Sequence, residues 1–183
     1  MGVPKEIKPL EKRVGLTPAA VKKLTGRGIR VLIETNAGLL SGFTDSQYRQ
    51  AGAEIAANGE SVYSRAGLIQ KVKEPLAPEF KALGGQILFC FLHLASPENS
   101  KLREALLKSG CTAIGFETVE KDGRLPILAP MSRIAGALAA AYGAYFQETL
   151  SFRGAERPSA RAAKSPREIS LFPPKLALNF IEC

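Results

Sequence analysis

The sequence has few of the side chains that hold metal ions or form disulfide bonds. It contains three cysteines and one histidine in 183 residues, and no two cysteines stand as a C-x-x-C pair. An odd number of scattered thiols argues against a disulfide framework or a zinc ribbon and fits a reducing compartment. One histidine and three separate thiols are too few ligands for a soft-metal site. We therefore predict that the chain holds no metal.

Segments that would direct the chain to a membrane are also missing. The first residues, MGVPKEIK, contain no apolar core of a secretory signal. The longest uncharged stretch of the alanine-rich region, from Ile134 to Gln147, is too short to span a bilayer. The composition is that of a globular domain, with 45% apolar and 23% charged residues. These features predict a cytoplasmic protein with no membrane partner.

The basic residues that give the net charge of +8 are not arranged as in a nucleic-acid-binding motif. The region after residue 150 has six basic and three acidic residues, and most of the basic excess lies in a stretch in which only Glu156 is acidic: Arg153, Arg157, Arg161, Lys164 and Arg167. A nucleic-acid interface would interleave such residues with aromatic ones or place them on a recognisable motif, and this segment does neither. The charge therefore favours a solvated basic segment, and we predict no nucleic-acid partner.

The sequence also lacks the glycine-rich turns that bind nucleotides. The nearest approach to G-x-G-x-x-G is Gly26-Arg27-Gly28, with Val31 at the position of the third glycine. These glycines precede a predicted strand, whereas the fingerprint follows a strand and opens a helix. The P-loop, the G-x-S-x-G elbow and the metalloprotease motif are absent as well.

Strands and helices alternate in what is present. Apolar, β-branched runs predict strands at residues 2–4, 29–34, 68–72, 86–92 and 112–116. Predicted helix starts are Thr17-Pro18, the possible capping box of Thr44 and Gln47, Ser96-Pro97, and Ser132, which opens an alanine-rich helix reaching about Leu150. Such alternation predicts an α/β fold, a parallel sheet with flanking helices.

Charged and titratable residues follow four of the predicted strands. They are Arg13, the pair Lys71 and Lys73, His93, and Glu117. Ligands of open parallel sheets bind at the carboxyl ends of the strands, where these residues would meet. Guanidinium and ammonium groups suit a carboxylate or a carbonyl oxygen, and histidine moves protons near neutral pH.

Each of these residues also has a purely structural interpretation. His93 could be a hydrogen-bonded core residue, Lys73 could form an exposed pair with Glu74, Arg13 could be solvated, and Glu117 could cap a turn. Their joint placement at one sheet edge supports a site for a small anionic acid.

Five segments in order within the first 150 residues carry a family resemblance: GVPKEIKPLEKRVGLTP, GFTDSQYRQAGAEI, QKVKEP, GQILFCFLHLA and LPILAPMSRIAG. They resemble the N-terminal part of bacterial alanine dehydrogenases, which are related to the N-terminal region of the proton-pumping nicotinamide nucleotide transhydrogenase. The histidine of FLHLA and the KVKEP segment favour the dehydrogenase branch.

The resemblance implies a role for each candidate residue. Arg13 would bind the substrate carboxylate, Lys73 would polarise the carbonyl, His93 would be the catalytic acid and base, Glu117 would face the substrate cleft, and Met131 and Ser132 would line the cleft near the nicotinamide. The implied reaction is the reversible NAD-dependent oxidative deamination of L-alanine to pyruvate and ammonia, in a homo-oligomer.

The resemblance stops near residue 150. It implies a Rossmann-like substrate domain that is incomplete, in a truncated or frameshifted product without the family's nucleotide-binding domain. We predict a substrate domain over 1–131, a connecting helix over 132–150 and a poorly ordered basic tail over 151–183. Such a chain would not turn over alone. The alternatives are a domain like that of the transhydrogenase α-subunit, a non-catalytic fragment that associates with an intact subunit, and one half of a split enzyme.

Overall fold

The computed structural model describes the backbone of residues 1–155 and the side chains of residues 1–148. The chain divides into two units, Met1–Leu125 and Pro126–Cys183. The strands are β1 Gly2–Val3, β2 Leu32–Glu34, β3 Glu54–Ala56, β4 Leu68–Gln70, β5 Ile87–Cys90 and β6 Thr112–Gly115. The helices are α1 Pro18–Thr25, α2 Asp45–Gln50, α3 Gly59–Arg65, α4 Ser100–Ser109 and α5 Leu128–Ala155. Short 3₁₀ helices cover Leu39–Ser41, Ala77–Ala82, Pro97–Asn99 and Phe116–Thr118.

The six strands form one parallel sheet in the order β3-β2-β1-β4-β5-β6. In the register of the central strand, Gly2 lies opposite Leu32 on one side and Ile69 on the other. The chain adds strands outward on one side from β1 to β3, and then outward on the other side from β4 to β6. This arrangement confirms the predicted α/β fold and is the strand order of Rossmann-type sheets.

The two residues of β1 show how both faces of the sheet are covered. Val3 is buried in a cluster with Val21 of α1 and Tyr48 of α2. Gly2 points to the opposite face, because successive residues of a strand alternate. A Cβ on Gly2 would lie 2.6 Å from both the Ala66 Cβ and a methyl carbon of Val62, so α3 packs too closely for any side chain there. Helices therefore flank the sheet on both sides, as in parallel sheets generally.

Local signals fix several helix ends as the sequence predicts. The Thr17 hydroxyl accepts a hydrogen bond from the Ala20 N–H at 3.3 Å at the start of α1. Thr44 and Gln47 form a complete capping box at the start of α2. Ser96 differs, because its side chain makes no capping bond and Pro97 opens a 3₁₀ turn before α4 begins.

Three elements depart from the sequence-based prediction. Strand β3 and helix α3 are absent from it. Strand β3, Glu54–Ala56, is only three residues long and is recognised by its pairing with β2. Helix α5 begins at Leu128 rather than at Ser132. Pro130 is tolerated there because the N–H groups of a first helical turn have no intrahelical partner.

The predicted tail falls mostly outside the described residues. Helix α5 continues past the predicted boundary at residue 150 to Ala155. Residues 156–183, the rest of the predicted basic tail, lie outside the part of the chain that the structure describes.

Candidate active site at the carboxyl edge of the sheet

The strand order changes direction between β1 and β4, and the segments after these two strands lie against each other. The Val72 N–H donates a hydrogen bond to Glu6 Oε1 at 2.6 Å, across 66 residues of sequence. Lys8 Nζ lies 2.8 Å from Glu74 Oε1. A Cβ on Gly15 would lie 2.8 Å from the Gln70 carbonyl oxygen. Such a switch point is where open parallel sheets leave a crevice for ligands.

Arg13, on the segment after β1, is held by a carboxylate that sequence reasoning did not single out. Its Nε and a terminal guanidinium nitrogen donate to the two oxygens of Glu11 at 2.8 and 2.6 Å. The Arg13 backbone N–H donates to the same carboxylate at 2.8 Å. The Arg13 side chain is 53% exposed, whereas that of Glu11 is only 8% exposed. The E-K-R spacing is a sequence signal for this pair, but oppositely charged neighbours are common in any sequence, and the burial of Glu11 is not visible from the spacing.

The Glu11 carboxylate also feels the ammonium group of Lys73. Burial acts to raise the pKa of Glu11. The hydrogen bonds and the charge of Arg13, together with the charge of Lys73, outweigh burial and hold that pKa below its ordinary value. The charges of Arg13 and Lys73, which are 60 positions apart in the sequence, therefore both act on this carboxylate.

Lys73, on the segment after β4, lies over an aromatic ring. Its Nζ is 4.7 Å from the centroid of the Phe91 ring, a cation–π contact. The same ring lies 5.7 Å, centroid to centroid, from the imidazole of His93. Phe91 thus connects the lysine after β4 with the histidine after β5.

His93 occupies a constrained turn. Its φ of 45° lies in the left-handed region, which costs a non-glycine residue about 1–2 kcal/mol. The amide of Asn99 donates to the carbonyl oxygens of Leu92 and His93 at 3.1 and 3.0 Å. These bonds fix the backbone that carries the imidazole.

Glu117, after β6, supports the same turn from the other side. Its Oε1 accepts hydrogen bonds from the N–H groups of His93 and Leu92 at 2.8 and 3.1 Å. A Cβ on Gly115 would lie 2.9 Å from this carboxylate, so the absence of a side chain there makes room for it. In the described structure the carboxylate of Glu117 therefore binds the backbone of the histidine turn.

Met131 and Ser132, the predicted cofactor-lining residues, lie near the amino-terminal end of α5. They belong to the second unit, whereas Arg13, Lys73, His93 and Glu117 belong to the first. The structure brings these last four residues together through Glu11, Phe91 and the turn at His93.

Lys71 does not join its neighbour Lys73 at the site. It is 1% exposed, and its Nζ lies 3.3 Å from Glu6 Oε2 and 2.9 Å from Glu79 Oε1. The Tyr63 hydroxyl donates to the same Glu79 oxygen at 3.0 Å. Burial acts to lower the pKa of Lys71, but the two carboxylates outweigh it and raise that pKa. Lys71 is a buried structural ion beneath the site.

The described residues contain neither a membrane-spanning helix nor a cluster of metal ligands. No helix within residues 1–155 combines the length and apolar character needed to cross a membrane. The same part of the chain contains no group of three or more His, Cys, Asp or Glu residues suited to a metal ion.

Comparison with known proteins connects this geometry to a family. The chain is 50% identical over 147 residues to the alanine dehydrogenase of Mycobacterium tuberculosis (strain ATCC 25618 / H37Rv), covering 79% of this chain and 39% of that protein. It is 50% identical over 149 residues to the alanine dehydrogenase of Bacillus subtilis (strain 168), covering 81% of this chain and 39% of that protein. The chain thus spans about two fifths of the length of these relatives.

Solved structures agree. An L-alanine dehydrogenase superimposes with a TM-score of 0.75 at 46% identity, covering 82% of this chain and 42% of the other. The transhydrogenase from Sinorhizobium meliloti superimposes with a TM-score of 0.69 at 28% identity, covering 79% of this chain and 43% of the other. The family model described as alanine dehydrogenase/PNT, N-terminal domain, matches residues 2–135. The chain belongs to the alanine dehydrogenase/PNT N-terminal domain family.

Proposed function

We propose that this chain binds the carboxylate substrate of an alanine dehydrogenase, L-alanine or pyruvate, at the carboxyl edge of its sheet. The observation that carries the proposal is the convergence of Arg13, Lys73 and His93 beside the switch point between β1 and β4. The identity of about 50% to curated alanine dehydrogenases supports the choice of substrate.

The chemistry of each side chain suits this substrate. The half-exposed guanidinium of Arg13 can donate paired hydrogen bonds to a carboxylate. The ammonium of Lys73 is a point charge that can draw electron density from a carbonyl oxygen. His93, the single histidine, can give and take the proton as the carbonyl carbon becomes an amine-bearing carbon. Glu117 holds the histidine turn through the N–H groups of Leu92 and His93, and its place at the substrate cleft stays a prediction.

In alanine dehydrogenase chemistry, NAD would supply the hydride acceptor. The described residues do not fit a dinucleotide, because β1 is followed by the charged connection from Pro4 to Thr17 rather than by a glycine-rich turn. No hydride-transfer step is therefore assigned to them, and Met131 and Ser132 remain proposed cleft-lining positions. A cytoplasmic location and a homo-oligomeric state are part of the same proposal.

A transhydrogenase-like role is the second candidate, because the transhydrogenase structure shares the fold at 28% identity. The two candidates differ at the site. A dehydrogenase substrate site must bind a small 2-oxo acid through Arg13 and Lys73, whereas a transhydrogenase exchanges hydride between nucleotides and needs no such binding.

Binding of oxamate, an unreactive monoanionic analogue of pyruvate, tests the proposal. We expect oxamate titrated into the 183-residue chain to shift amide NMR signals around Arg13, Lys73 and His93. Arg13→Ala should weaken binding by at least about tenfold, since a charge-assisted hydrogen bond is worth roughly 1.5–3 kcal/mol.

Arg27→Ala is the matched control, because Arg27 is an exposed arginine beyond the end of α1. It should leave oxamate affinity unchanged. The proposal is wrong if the chain binds no oxamate, or if Arg13→Ala and Arg27→Ala bind it as tightly as the natural chain.

A further inference from the structure

Glu11 is paired with Arg13, the residue proposed to bind the substrate carboxylate. Its carboxylate takes two side-chain hydrogen bonds from Arg13, the same paired geometry that a ligand carboxylate would use. The ammonium of Lys73 also attracts it. A fixed negative charge is therefore paired with Arg13 and attracted by Lys73, the two cations that the proposed function assigns to an anionic substrate.

The other acidic residues near the site are not paired with Arg13 in the described structure. Glu74 is paired with Lys8 at 2.8 Å, and Glu6 faces the buried Lys71 at 3.3 Å. Glu117 accepts N–H groups of the histidine turn. Each of these carboxylates is engaged elsewhere, and Glu11 alone among them is hydrogen-bonded to Arg13 in the described residues.

The charges at the centre of the site can be counted from these contacts. Arg13 and Lys73 supply two positive charges, and Glu11 supplies one negative charge, so that the three side chains together carry one positive charge. A ligand with one negative charge balances this set. A second negative charge on the ligand would be repelled by the carboxylate of Glu11.

We infer that Glu11 is a specificity-determining residue that makes the site select a monocarboxylate over a dicarboxylate. The inference rests on the proposed function, since it assumes that the ligand binds beside Arg13 and Lys73. Glu11 acts by electrostatic repulsion of a dicarboxylate, since specificity can arise from weakening the binding of the competing ligand.

Oxamate and oxalate are the probes, because they have nearly the same size and shape while oxamate carries one negative charge and oxalate two. In the natural chain we expect oxamate to bind more tightly than oxalate. In Glu11→Gln the ratio of oxalate to oxamate affinity should rise by about tenfold, the size expected for one unit charge at close range near a protein surface. The change should shrink as salt is added, because salt screens the interaction between Glu11 and a ligand bound at the half-exposed Arg13.

Two further variants separate charge from structure. Glu11→Asp keeps the negative charge and should keep the preference for oxamate over oxalate, even if it lowers the affinity for both ligands. Glu54→Gln removes the same charge at the start of β3, at the opposite edge of the sheet, and should leave the ratio unchanged. Isothermal titration calorimetry of the four chains at two salt concentrations measures all the ratios.

The outcomes distinguish this inference from the proposed function. If Glu11→Gln lowers the affinity for both anions equally, Glu11 only positions Arg13 and the inference is overturned. The inference is also overturned if Glu11→Gln unfolds and Glu11→Asp loses the preference for oxamate over oxalate. If neither the natural chain nor Glu11→Gln binds oxamate, the proposed function itself fails and the inference falls with it.

Discussion

At the scale of single residues, the buried ion cluster beneath the site carries a large desolvation cost. Lys71 faces Glu6 and Glu79, and all three side chains are at most 9% exposed. Burial raises the pKa of Glu6 despite the attraction of Lys71 and the N–H of Val72. The cluster joins the segment after β1 to the segment after β4. The desolvation free energy of these buried ions therefore accompanies contacts that hold the two halves of the site together.

Replacing Lys71, the central cation of the cluster, should lower the free energy of unfolding. Lys71→Met leaves two buried carboxylates without their cation, and we expect a loss of about 3–5 kcal/mol in the free energy of unfolding at neutral pH. The loss should shrink as pH falls. Carboxylates without their cation have raised pKa values in the folded state, so their protonation favours folding on the acidic side.

Urea denaturation across pH measures the effect. Lys81→Met, at an exposed lysine, is the control and should stay within about 0.5 kcal/mol of the natural chain. Glu6→Gln should cost only about 1 kcal/mol, because an amide oxygen still accepts the Val72 N–H and Lys71 keeps Glu79. Equal losses in Lys71→Met and Lys81→Met would contradict a structural role for this ion cluster.

At the scale of elements, the turn after β5 depends on the element after β6. The carboxylate of Glu117 accepts the N–H groups of Leu92 and His93, and it fits because Gly115 has no side chain. Parallel pairing of β5 with β6, including Cys90 opposite Gly115, sets the distance across which this bond forms. The position of the proposed proton-transfer residue is therefore decided by a neighbouring strand.

A methyl group at Gly115 should loosen this turn. In Gly115→Ala the new Cβ would lie 2.9 Å from the Glu117 carboxylate, which must move away from the two N–H groups. We expect hydrogen exchange of the Leu92 and His93 amides to become about tenfold faster, since a lost charge-assisted bond costs at least about 1.5 kcal/mol.

Oxamate affinity should fall in the same variant, measured by the same titration as for the natural chain. Gly67→Ala is the control, because a Cβ there meets nothing within 4 Å. Unchanged exchange at Leu92 and His93 in Gly115→Ala would show that Glu117 does not hold the turn.

At the scale of the whole molecule, the site lies where the strand order reverses. The chain runs from β1 outward to β3 and then returns to β4 beside β1. Arg13 and Lys73 arrive from strands on either side of this reversal, and His93 and Glu117 arrive from the next two strands. The chain covers 39% of the length of its curated relatives from Mycobacterium tuberculosis and Bacillus subtilis.

We expect the 183-residue chain to bind the substrate without turning it over. No glycine-rich dinucleotide turn occurs in its sequence, so nothing in it is suited to orient the hydride acceptor against the substrate. With L-alanine and NAD, NADH formation followed by its absorbance should stay at the level of a blank without protein. The full-length Bacillus subtilis relative serves as the positive control, and alanine-dependent NADH formation by this chain would contradict the expectation.

Much of the fold could be predicted because its signals are local. Thr17 before Pro18, and Thr44 before Gln47, mark helix starts within four residues, and both caps form. Apolar β-branched runs identify five of the six strands. The missed strand β3 is three residues long, and it is stabilised as a strand by pairing with β2 rather than by its own sequence.

The sequence by itself determined the alternation of strands and helices and the residue types that follow each strand. Those features depend on near neighbours and on strand polarity alone. Only the tertiary structure decided that Lys71 is buried while Lys73 lies over the Phe91 ring, and that the charges of Arg13 and Lys73 both act on Glu11. The reason is physical: burial and the field of a distant charge depend on which segments the sheet brings together, and here they are joined by contacts between residues up to 66 positions apart.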